Sequence, residues 1–340
     1  MEYSIWVQVP SRAPPFELKG AISAFFRVRS INNSASHEEN TNLAPFNLEW
    51  KNNLKGAISA FFLYNIYMNI LYCGDKGIAR GVLISILSII KYNKGVLHFY
   101  ILTINYEDTK AFSKKATEFL DELVKKTNKK SFVKLIDATE IFTANLPKKN
   151  MKSYFTPCSM LRLYIDKVPE INQLERVLYL DYDVVCRGNM TEFYNIDLKN
   201  IEAAGVLDIY GRRFYRYHGF FNQDYMNSGV MLFNMPECLK SGMFDKTVKL
   251  CAKRWMMLAD QAALNKSIEK RKLVDRKYNE QEERPRKNTV LHHFSNNFKF
   301  WPYFRIQKVK PFEIDKVHKV LKITEYDDIL EEYNQLKGKL

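Results

Sequence analysis

Apolar residues follow a regular order along the chain from about residue 67 onward. Short apolar runs over Met68–Cys73, Val96–Leu102 and Phe132–Asp137 are typical of the buried strands of a parallel sheet. Between them, Ile78–Tyr92 and Glu107–Thr127 carry apolar residues at the spacing of one helix face. This alternation predicts an α/β fold, in which a Rossmann-like, mostly parallel sheet is flanked by helices.

The second half of the chain continues the pattern. Residues Ile201–Ile209 and Ser228–Met235 are predicted to be further strands, and Pro236–Ala252 and Asp260–Lys270 are predicted to be helices. The residues after Pro311 have mixed charge and contain one helical stretch. The predicted sheet therefore ends well before the C-terminus.

A nine-residue segment occurs twice near the N-terminus. LKGAISAFF stands at Leu18–Phe26 and again at Leu54–Phe62, in a part of the chain rich in Asn, Ser and Pro. Two copies are too few for a repeat architecture, which needs at least about three stacked units. We predict an irregular extension over residues 1–66, a main domain over 67–305 and a helical C-terminal tail over 306–340.

The features that bear on localisation favour the cytoplasm. The second copy runs into an apolar stretch, but Asn65 and Asn69 interrupt it, which disfavours a membrane span. The sequence begins with MEYSIW and lacks the basic and apolar regions of a signal peptide. The 5 cysteines are scattered without a CxxC pair, as is usual for reduced cytosolic proteins.

The charge of the chain narrows the choice of partners. The formal net charge of +14 predicts attraction to nucleic acid, to an anionic membrane face or to phosphorylated small molecules. Basic residues are spread along the chain, without zinc-finger spacing, an aromatic RNA-binding motif or a basic recognition helix, so we predict no nucleic-acid partner. Peripheral contact with the inner face of an anionic membrane fits this charge, and a solvated basic surface is the alternative.

Two acidic residues interrupt a strand-like apolar run. Residues 178–185 read LYLDYDVV and place Asp181 and Asp183 on one side of a strand end, a single residue apart. Two like charges at that spacing repel each other unless a cation is present. Carboxylate oxygens suit Mg²⁺ or Mn²⁺, which commonly join protein carboxylates to phosphates. The alternative is a solvated turn that holds two acids.

Three later stretches add residues suited to the same chemistry. Asn227–Gly229 stand just before a predicted strand, where a ligand can approach the backbone closely at the glycine. Asp260 and Gln261 open a predicted helix, with helix capping as the alternative role for Asp260. His293 is a candidate third metal ligand or else a packed core histidine, and Lys299 is a candidate phosphate contact.

In this order the motifs resemble those of glycosyltransferase family 8, which contains glycogenin and bacterial lipopolysaccharide galactosyl- and glucosyltransferases. The resemblance runs from about Met68 to Trp301. The motifs that carry it are YCGD, MLRLYI, RVLYLDYDVV, NSGVMLFN, DQAALN, KYN and HHFSNNFKFW. Each motif is fairly common alone, and their joint order makes the resemblance specific.

The resemblance implies a nucleotide-diphospho-sugar transferase fold of the GT-A type and retaining transfer of glucose or galactose. The implied donor is a UDP-hexose, and the implied acceptor is a glycan, a glycolipid or a glycoprotein. The implied cofactor is Mn²⁺, with Mg²⁺ as the alternative. By the same resemblance, Asp181, Asp183 and His293 hold the metal against the diphosphate. Asp75 is placed near the uracil, and Lys299 is placed against a phosphate.

The resemblance also assigns residues around the donor sugar. Asp260 is implied to hold sugar hydroxyls. Gln261 is implied to lie on the far side of the anomeric carbon, either as a nucleophile or as a dipole in a front-face reaction. The remaining donor-binding candidates are Arg162, Tyr182, Asp208 and Asn227.

The chain departs from the family pattern at four positions in or beside the motifs. Lys76 follows YCGD where an acidic or polar residue is common. Ala262 stands where the family usually has Asp, and Asn296 and Phe300 stand where it often has Gly and Pro. One alternative function is therefore a non-catalytic module that binds nucleotide sugars. The other is an aspartate-dependent phosphotransferase, because such enzymes also carry an AspXaaAsp motif after a strand.

Overall fold

The computed structural model describes residues 67–151, 157–210, 224–256, 258–299 and 305–340. The extension predicted over 1–66, with its duplicated segment, lies outside these ranges. The predicted domain boundaries therefore stay predictions. Numbered along the described residues, the strands are β1 (Tyr67–Cys73), β2 (Val96–Thr103), β3 (Phe132–Asp137), β4 (Arg176–Leu180), β5 (Val184–Cys186), β6 (Ala203–Leu207), β7 (Met226–Asn234), β8 (Arg271–Leu273), β9 (Leu291–His293), β10 (Asn297–Lys299) and β11 (Arg305–Gln307).

Seven of these strands form one sheet in the order β3, β2, β1, β4, β7, β6, β8. Strand β2 is parallel to β3 and to β1, β1 is parallel to β4, and β6 is parallel to β8. Strand β7 is antiparallel to both of its neighbours. The sheet is therefore mixed but mostly parallel, and the predicted fold class is confirmed.

The helices lie between and after these strands. They are α1 (Ala79–Tyr92), α2 (Lys114–Thr127), α3 (Thr139–Ala144), α4 (Pro169–Asn172), α5 (Thr191–Tyr194), α6 (Met235–Ser241), α7 (Met243–Lys253), α8 (Ala259–Ser267), α9 (Ile314–Lys316) and α10 (Asp327–Leu336). An 11-residue 3₁₀ helix over Pro157–Lys167 precedes α4. Crossover helices pack on the faces of a parallel sheet, and here a buried core lies on each face.

Strand β1 shows why the sheet strands read as continuous apolar runs. Met68, Ile70 and Tyr72 pack in the core that contains α1. Leu71 and Cys73 point the other way, into the core that contains the 3₁₀ helix over Pro157–Lys167. Since successive side chains of a strand alternate between two faces, burial of both faces favours apolar residues at nearly every position, and Asn69 is the one buried polar residue of β1.

Two predicted helices differ from the observed ones. The helix predicted from Glu107 begins at Lys114, because Ser113 caps it by accepting a backbone N–H of the first turn. Glu107 itself has a φ of 50°, which an α-helix excludes. The helix predicted over Pro236–Ala252 is two helices, since Gly242 between α6 and α7 adopts a left-handed φ of 66°.

The strand predictions also need correction near the candidate site. The run over 178–185 is not one strand, because Asp181–Asp183 turn the chain out of β4 and into β5, which pairs with β9. Asn227–Gly229 lie inside β7 rather than before it, since that strand begins at Met226. Helix α8 ends at Ser267, three residues earlier than predicted.

The C-terminal segment packs on α1. Val317, Leu321, Tyr326 and Leu330 are buried in the same core as that helix. The Arg80 guanidinium lies 4.4 Å from the centroid of the Phe312 ring. Every helix in the described ranges is too short or too polar to span a membrane. This packing brings Lys310 to Asp183, beyond the carboxyl end of β4.

Candidate functional site

The turn between β4 and β5 presents the two acidic residues of the motif. It follows the carboxyl end of β4, where ligands of parallel sheets commonly bind. The backbone N–H of Asp181 donates to the carbonyl of Gly229 at 2.8 Å, and that of Phe294 donates to the carbonyl of Asp183 at 3.0 Å. Asp183 is buried and Asp181 is half-buried. The two carboxylates are thus fixed between β7 and the residues after β9.

His293, the last residue of β9, faces both carboxylates. Its Nε2 lies 3.4 Å from Asp183 Oδ1 and 3.6 Å from Asp181 Oδ2. The antiparallel pairing of β5 with β9 places it there, because Val184 stands opposite His293. One ligand atom from each of the three residues lies within 4.8 Å of the others. We call Asp181, Asp183 and His293 the Asp–His cluster.

A fixed cation holds the other oxygen of each carboxylate. Asp181 Oδ1 accepts from Arg162 Nη2 at 2.9 Å and from the Tyr179 hydroxyl at 2.6 Å. Asp183 Oδ2 accepts from the ammonium of Lys310. We call these two atoms, Asp181 Oδ1 and Asp183 Oδ2, the outer oxygens. The inner oxygens, Asp181 Oδ2 and Asp183 Oδ1, face His293.

The charges in this arrangement stabilise one another. Burial disfavours the ionised form of Asp183, but Lys310 and His293 outweigh it and hold the pKa of that carboxyl well below its usual range. Burial also disfavours the charge of Lys310, and Asp183 more than restores it, so the pKa of Lys310 is raised. Burial likewise disfavours the charge of Arg162, but the charge of Asp181 outweighs it, so the pKa of Arg162 is raised. Asp183, Lys310 and Arg162 are therefore all charged at neutral pH.

Gly229 makes room for the Asp–His cluster. A Cβ at this position would lie 2.2 Å from His293 Cε1 and 2.9 Å from Asp181 Oδ2. Both distances are shorter than van der Waals contact, so the imidazole and the carboxylate rest directly on the backbone of β7. The glycine of the NSG segment is therefore required by packing.

We expect Gly229→Ala to weaken Mn²⁺ binding by at least about tenfold, because the added methyl group displaces His293 from the carboxylates. Isothermal titration calorimetry with MnCl₂ measures the affinity. Gly188→Ala is the matched control, since its Cβ would meet nothing closer than 3.6 Å. Equal Mn²⁺ affinity in the wild type and in Gly229→Ala would contradict this role.

The Asp–His cluster fits a hard divalent cation. Asp183 Oδ1 is buried and forms no hydrogen bond within the described part of the chain, where His293 Nε2 lies 3.4 Å from it. A buried carboxylate oxygen without a hydrogen bond is costly, and a cation beside it removes that cost. The two carboxylates suit Mn²⁺ or Mg²⁺, which prefer oxygen ligands, whereas the imidazole is a ligand more typical of transition metals. The residues present therefore match the cofactor that the sequence predicted, although they do not identify the ion.

Arg162 joins three elements beside the cluster. Besides its bond to Asp181, its guanidinium donates to the carbonyl of Ser228 in β7 at 2.9 Å. Its Nε also lies 3.5 Å from Asp260 Oδ2 in α8. The side chain is 5% exposed, and its contacts fix both aspartates. Its predicted contact with the donor sugar stays a prediction.

Asp260 is not a helix cap. Helix α8 begins at Ala259 with Leu258 at its N-cap, and Asp260 lies buried within the first turn. Burial raises the pKa of Asp260 even though the charge of Arg162 acts in the opposite direction. The alternative interpretation of this residue as a cap is therefore wrong.

A second buried group, which we call the amide network, contains Asp208, Asn227, Gln261 and Asn279. Asp208 Oδ2 accepts from Asn227 Nδ2 at 2.9 Å and from Gln261 Nε2 at 3.0 Å. Asn227 Oδ1 accepts from Asn279 Nδ2 at 2.9 Å, and Gln261 Oε1 accepts from the N–H of Ser228 at 2.9 Å. Since an ionised carboxylate only accepts and a backbone N–H only donates, these partners fix the orientation of the Gln261 amide.

The remaining predicted site residues are Asp75, Tyr182 and Lys299. Asp75 follows β1, and its carboxylate accepts from the N–H of Gly77 at 2.7 Å, which caps the short 3₁₀ helix over Lys76–Ile78. Tyr182 packs against α1, where a Cβ at Gly81 would lie 2.5 Å from its carbonyl oxygen. Burial and the nearby Asp183 raise the pKa of Tyr182 to about 12. Lys299 ends β10, and the structure describes its backbone alone.

Sequence reasoning missed Lys310. The residue lies in the predicted C-terminal tail, where a single Lys among mixed charges has no pattern that indicates a site. In the structure its ammonium contacts Asp183 and the carbonyl of Phe294, the latter at 3.2 Å. Its backbone N–H donates to Glu313 Oε2 at 2.8 Å. Long-range packing of the tail on α1 is what brings it to the site.

Comparison with known proteins identifies relatives of this chain. The family model described as Glycosyl transferase family 8 matches residues 69–304. A lipopolysaccharide 1,2-glucosyltransferase of Escherichia coli is 28% identical over 220 residues, which cover 62% of this chain and 62% of that protein. A lipopolysaccharide 1,3-galactosyltransferase of Salmonella typhimurium is 26% identical over 230 residues, which cover 63% of each. The match thus spans less than two thirds of either relative.

Solved structures share the fold. The galactosyltransferase LgtC in complex with donor and acceptor sugar analogs superposes with a TM-score of 0.57 at 16% identity, covering 80% of this chain and 100% of that one. The glycosyltransferase GlyE of Streptococcus pneumoniae superposes with a TM-score of 0.52 at 18% identity, covering 80% and 65%. Both neighbours have the GT-A fold, which confirms the fold type implied by the sequence motifs.

Proposed function

Because the chain belongs to glycosyl transferase family 8, we propose that it moves a glucose or galactose residue from a UDP-sugar to a hydroxyl of a glycan or glycolipid. The proposed transfer retains the anomeric configuration and depends on Mn²⁺ or Mg²⁺. Family membership rests on the match over residues 69–304. The donor, the stereochemical course and the metal dependence are the proposal.

The observation that carries this proposal is the Asp–His cluster. Arg162 and Lys310 hold its outer oxygens, and its inner oxygens face His293 at the carboxyl edge of the sheet. This edge is where nucleotides bind in sheets of this type. The amide network lies next to the cluster, so groups suited to a diphosphate and groups suited to sugar hydroxyls stand side by side.

A bound divalent metal would supply positive charge against the diphosphate that leaves the sugar. Asp181, Asp183 and His293 are the residues proposed to hold it. Arg162 and Lys310 keep the two carboxylates in place, so the charge of the site is organised before the donor binds. The ammonium of Lys310 adds a second positive charge on the same side.

The reacting carbon is proposed to face the amide network. Asp260 forms an ion pair with Arg162, and Asp208 accepts from two amides, so both carboxylates are already engaged. That arrangement favours a front-face route, in which the departing phosphate oxygen takes the proton of the acceptor hydroxyl. Gln261 then contributes the dipole of its carbonyl group, which stabilises positive charge on the sugar ring.

Two observations support a lipid-linked acceptor and a cytoplasmic location at the membrane face. Both relatives described above carry names that state the transfer of a sugar in lipopolysaccharide. The formal net charge of +14 attracts the chain to anionic lipid surfaces. We propose that the enzyme meets its acceptor at the inner face of a membrane through peripheral contact.

The experiment that tests the function is a donor screen. The protein is incubated with UDP-glucose and UDP-galactose in MnCl₂, and UDP release is measured with and without EDTA. We expect slow release from one donor, faster release when a suitable acceptor oligosaccharide is present, and loss of release in EDTA. Donors based on other nucleotides serve as controls.

The other outcomes separate the alternatives. Tight UDP binding without release from any donor, in the presence of a broad set of acceptors, would identify a binding module. Transfer of phosphate to Asp181 from a phosphoryl donor would identify a phosphotransferase. Release that is unaffected by EDTA would contradict the proposed metal dependence.

A further inference from the structure

Lys310 lies beyond the family match, which ends at residue 304, yet its side chain reaches the Asp–His cluster. We propose that Lys310 opposes the binding of a free divalent cation and favours the binding of a metal–nucleotide complex at this cluster. The nucleotide part rests on the proposed function. The metal part depends on the cluster alone.

The position of the ammonium is fixed by several contacts. It donates to Asp183 Oδ2 and to the carbonyl of Phe294, and it lies 5.8 Å from the centroid of the Tyr182 ring. The side chain is 23% exposed. The N–H of the same residue donates to Glu313 Oε2 at 2.8 Å, so the backbone is held as well. Lys310 is therefore part of the site and not a mobile surface lysine.

The charge balance explains why a free cation is disfavoured. Two fixed cations already contact the carboxylates of the cluster: Lys310 contacts Asp183, and Arg162, which is shared with Asp260, contacts Asp181. A divalent ion that arrives alone gains the inner oxygens and His293, but it must stand a few ångströms from the ammonium. Like charges at such a distance repel strongly in a partly buried site.

A nucleotide reverses this balance. The diphosphate brings at least about two negative charges, and both the metal and the ammonium attract it. The ammonium has three hydrogens, and within the described residues two of them have acceptors, on Asp183 and Phe294. The third is available to a phosphate oxygen. The same lysine that repels the free ion therefore helps to bind the ion together with its nucleotide.

A purely structural ion pair makes a different prediction. If Lys310 only anchored the C-terminal segment, its loss would disturb Asp183 and weaken metal and nucleotide binding alike. The proposed role instead predicts effects of opposite sign on the two ligands. This difference in sign makes the proposal testable.

The experiment compares Lys310→Met with the wild type, with Lys310→Arg as the variant that keeps the charge. Lys319→Met is the matched control, since Lys319 is 79% exposed and pairs with Asp315 instead of a residue of the cluster. Calorimetry first titrates MnCl₂ alone, and then titrates UDP at saturating Mn²⁺. We expect Lys310→Met to bind Mn²⁺ alone at least about tenfold more tightly and UDP at least about tenfold more weakly. Lys310→Arg and Lys319→Met should resemble the wild type.

Unchanged or weaker Mn²⁺ binding in Lys310→Met would overturn the proposal. Tighter Mn²⁺ binding with unchanged UDP affinity would overturn its nucleotide part. If the wild type binds Mn²⁺ but no UDP, the proposed function fails, while the titration of Mn²⁺ alone still decides the role of Lys310. Should Lys310→Met lose its cooperative thermal transition, Lys310→Gln replaces it with the same expectations, because its amide still donates to Asp183.

Discussion

Replacing Asp183 with alanine is expected to weaken Mn²⁺-dependent UDP binding by at least about a hundredfold, without unfolding the protein. The substitution removes a proposed metal ligand whose inner oxygen faces His293, and it leaves Lys310 without its partner. Binding of metal and diphosphate therefore fails together. Calorimetry with UDP in MnCl₂ measures the loss, and thermal unfolding reports whether the fold is kept.

Two variants make this result interpretable. Asp183→Asn keeps the shape of the side chain and removes its charge, so it should lose most of the affinity as well. Asp137→Ala is the matched control, because Asp137 ends β3 of the same sheet and bonds only to Thr139 among the described residues. If Asp183→Ala bound UDP as tightly as the wild type does, the proposed role of the metal in UDP binding would be contradicted.

Gln261→Ala is expected to lower turnover by about 10- to 1000-fold, the loss of one dipole that acts on the transition state. The amide is held between Ser228 and Asp208, so its orientation is fixed before the donor arrives. Affinity for the donor should change little, because the positive charge that the amide stabilises exists only during the reaction. The measurement is kcat beside the affinity for the UDP-sugar.

The control separates catalysis from packing. Asn93 is also buried, and its amide donates to the carbonyl of Ile89 and accepts from the N–H of Met190. Asn93→Ala should lower stability about as much as Gln261→Ala but leave kcat within about threefold. Full turnover in Gln261→Ala, or an inverted product from the wild type by NMR, would exclude the assigned role.

Much of the fold could be predicted because it depends on local patterns. The strands β1 to β3 and the helix α1 are apolar in the periods that buried strands and helices require. The errors occur where single residues override the period. Gly242 separates α6 from α7, and Ser113 caps α2, which therefore begins seven residues after its predicted start.

The candidate site could be predicted only in part, for a physical reason. Asp181, Asp183 and His293 stand in motifs whose order in the chain is informative, and the structure brings them together. Contacts that depend on long-range packing leave no such trace. Two ion pairs, Arg162 with Asp260 and Lys310 with Asp183, join distant parts of the chain, and no local sequence pattern predicts them.

The central claim is that the Asp–His cluster holds a divalent metal which in turn holds a nucleotide diphosphate. The most direct measurement is an anomalous difference map from a crystal soaked with MnCl₂ and UDP. The account predicts one strong peak within about 2.5 Å of Asp181, Asp183 and His293, in contact with both phosphates. Ordered UDP without an anomalous peak at these three residues, or a peak at a different site, would contradict it.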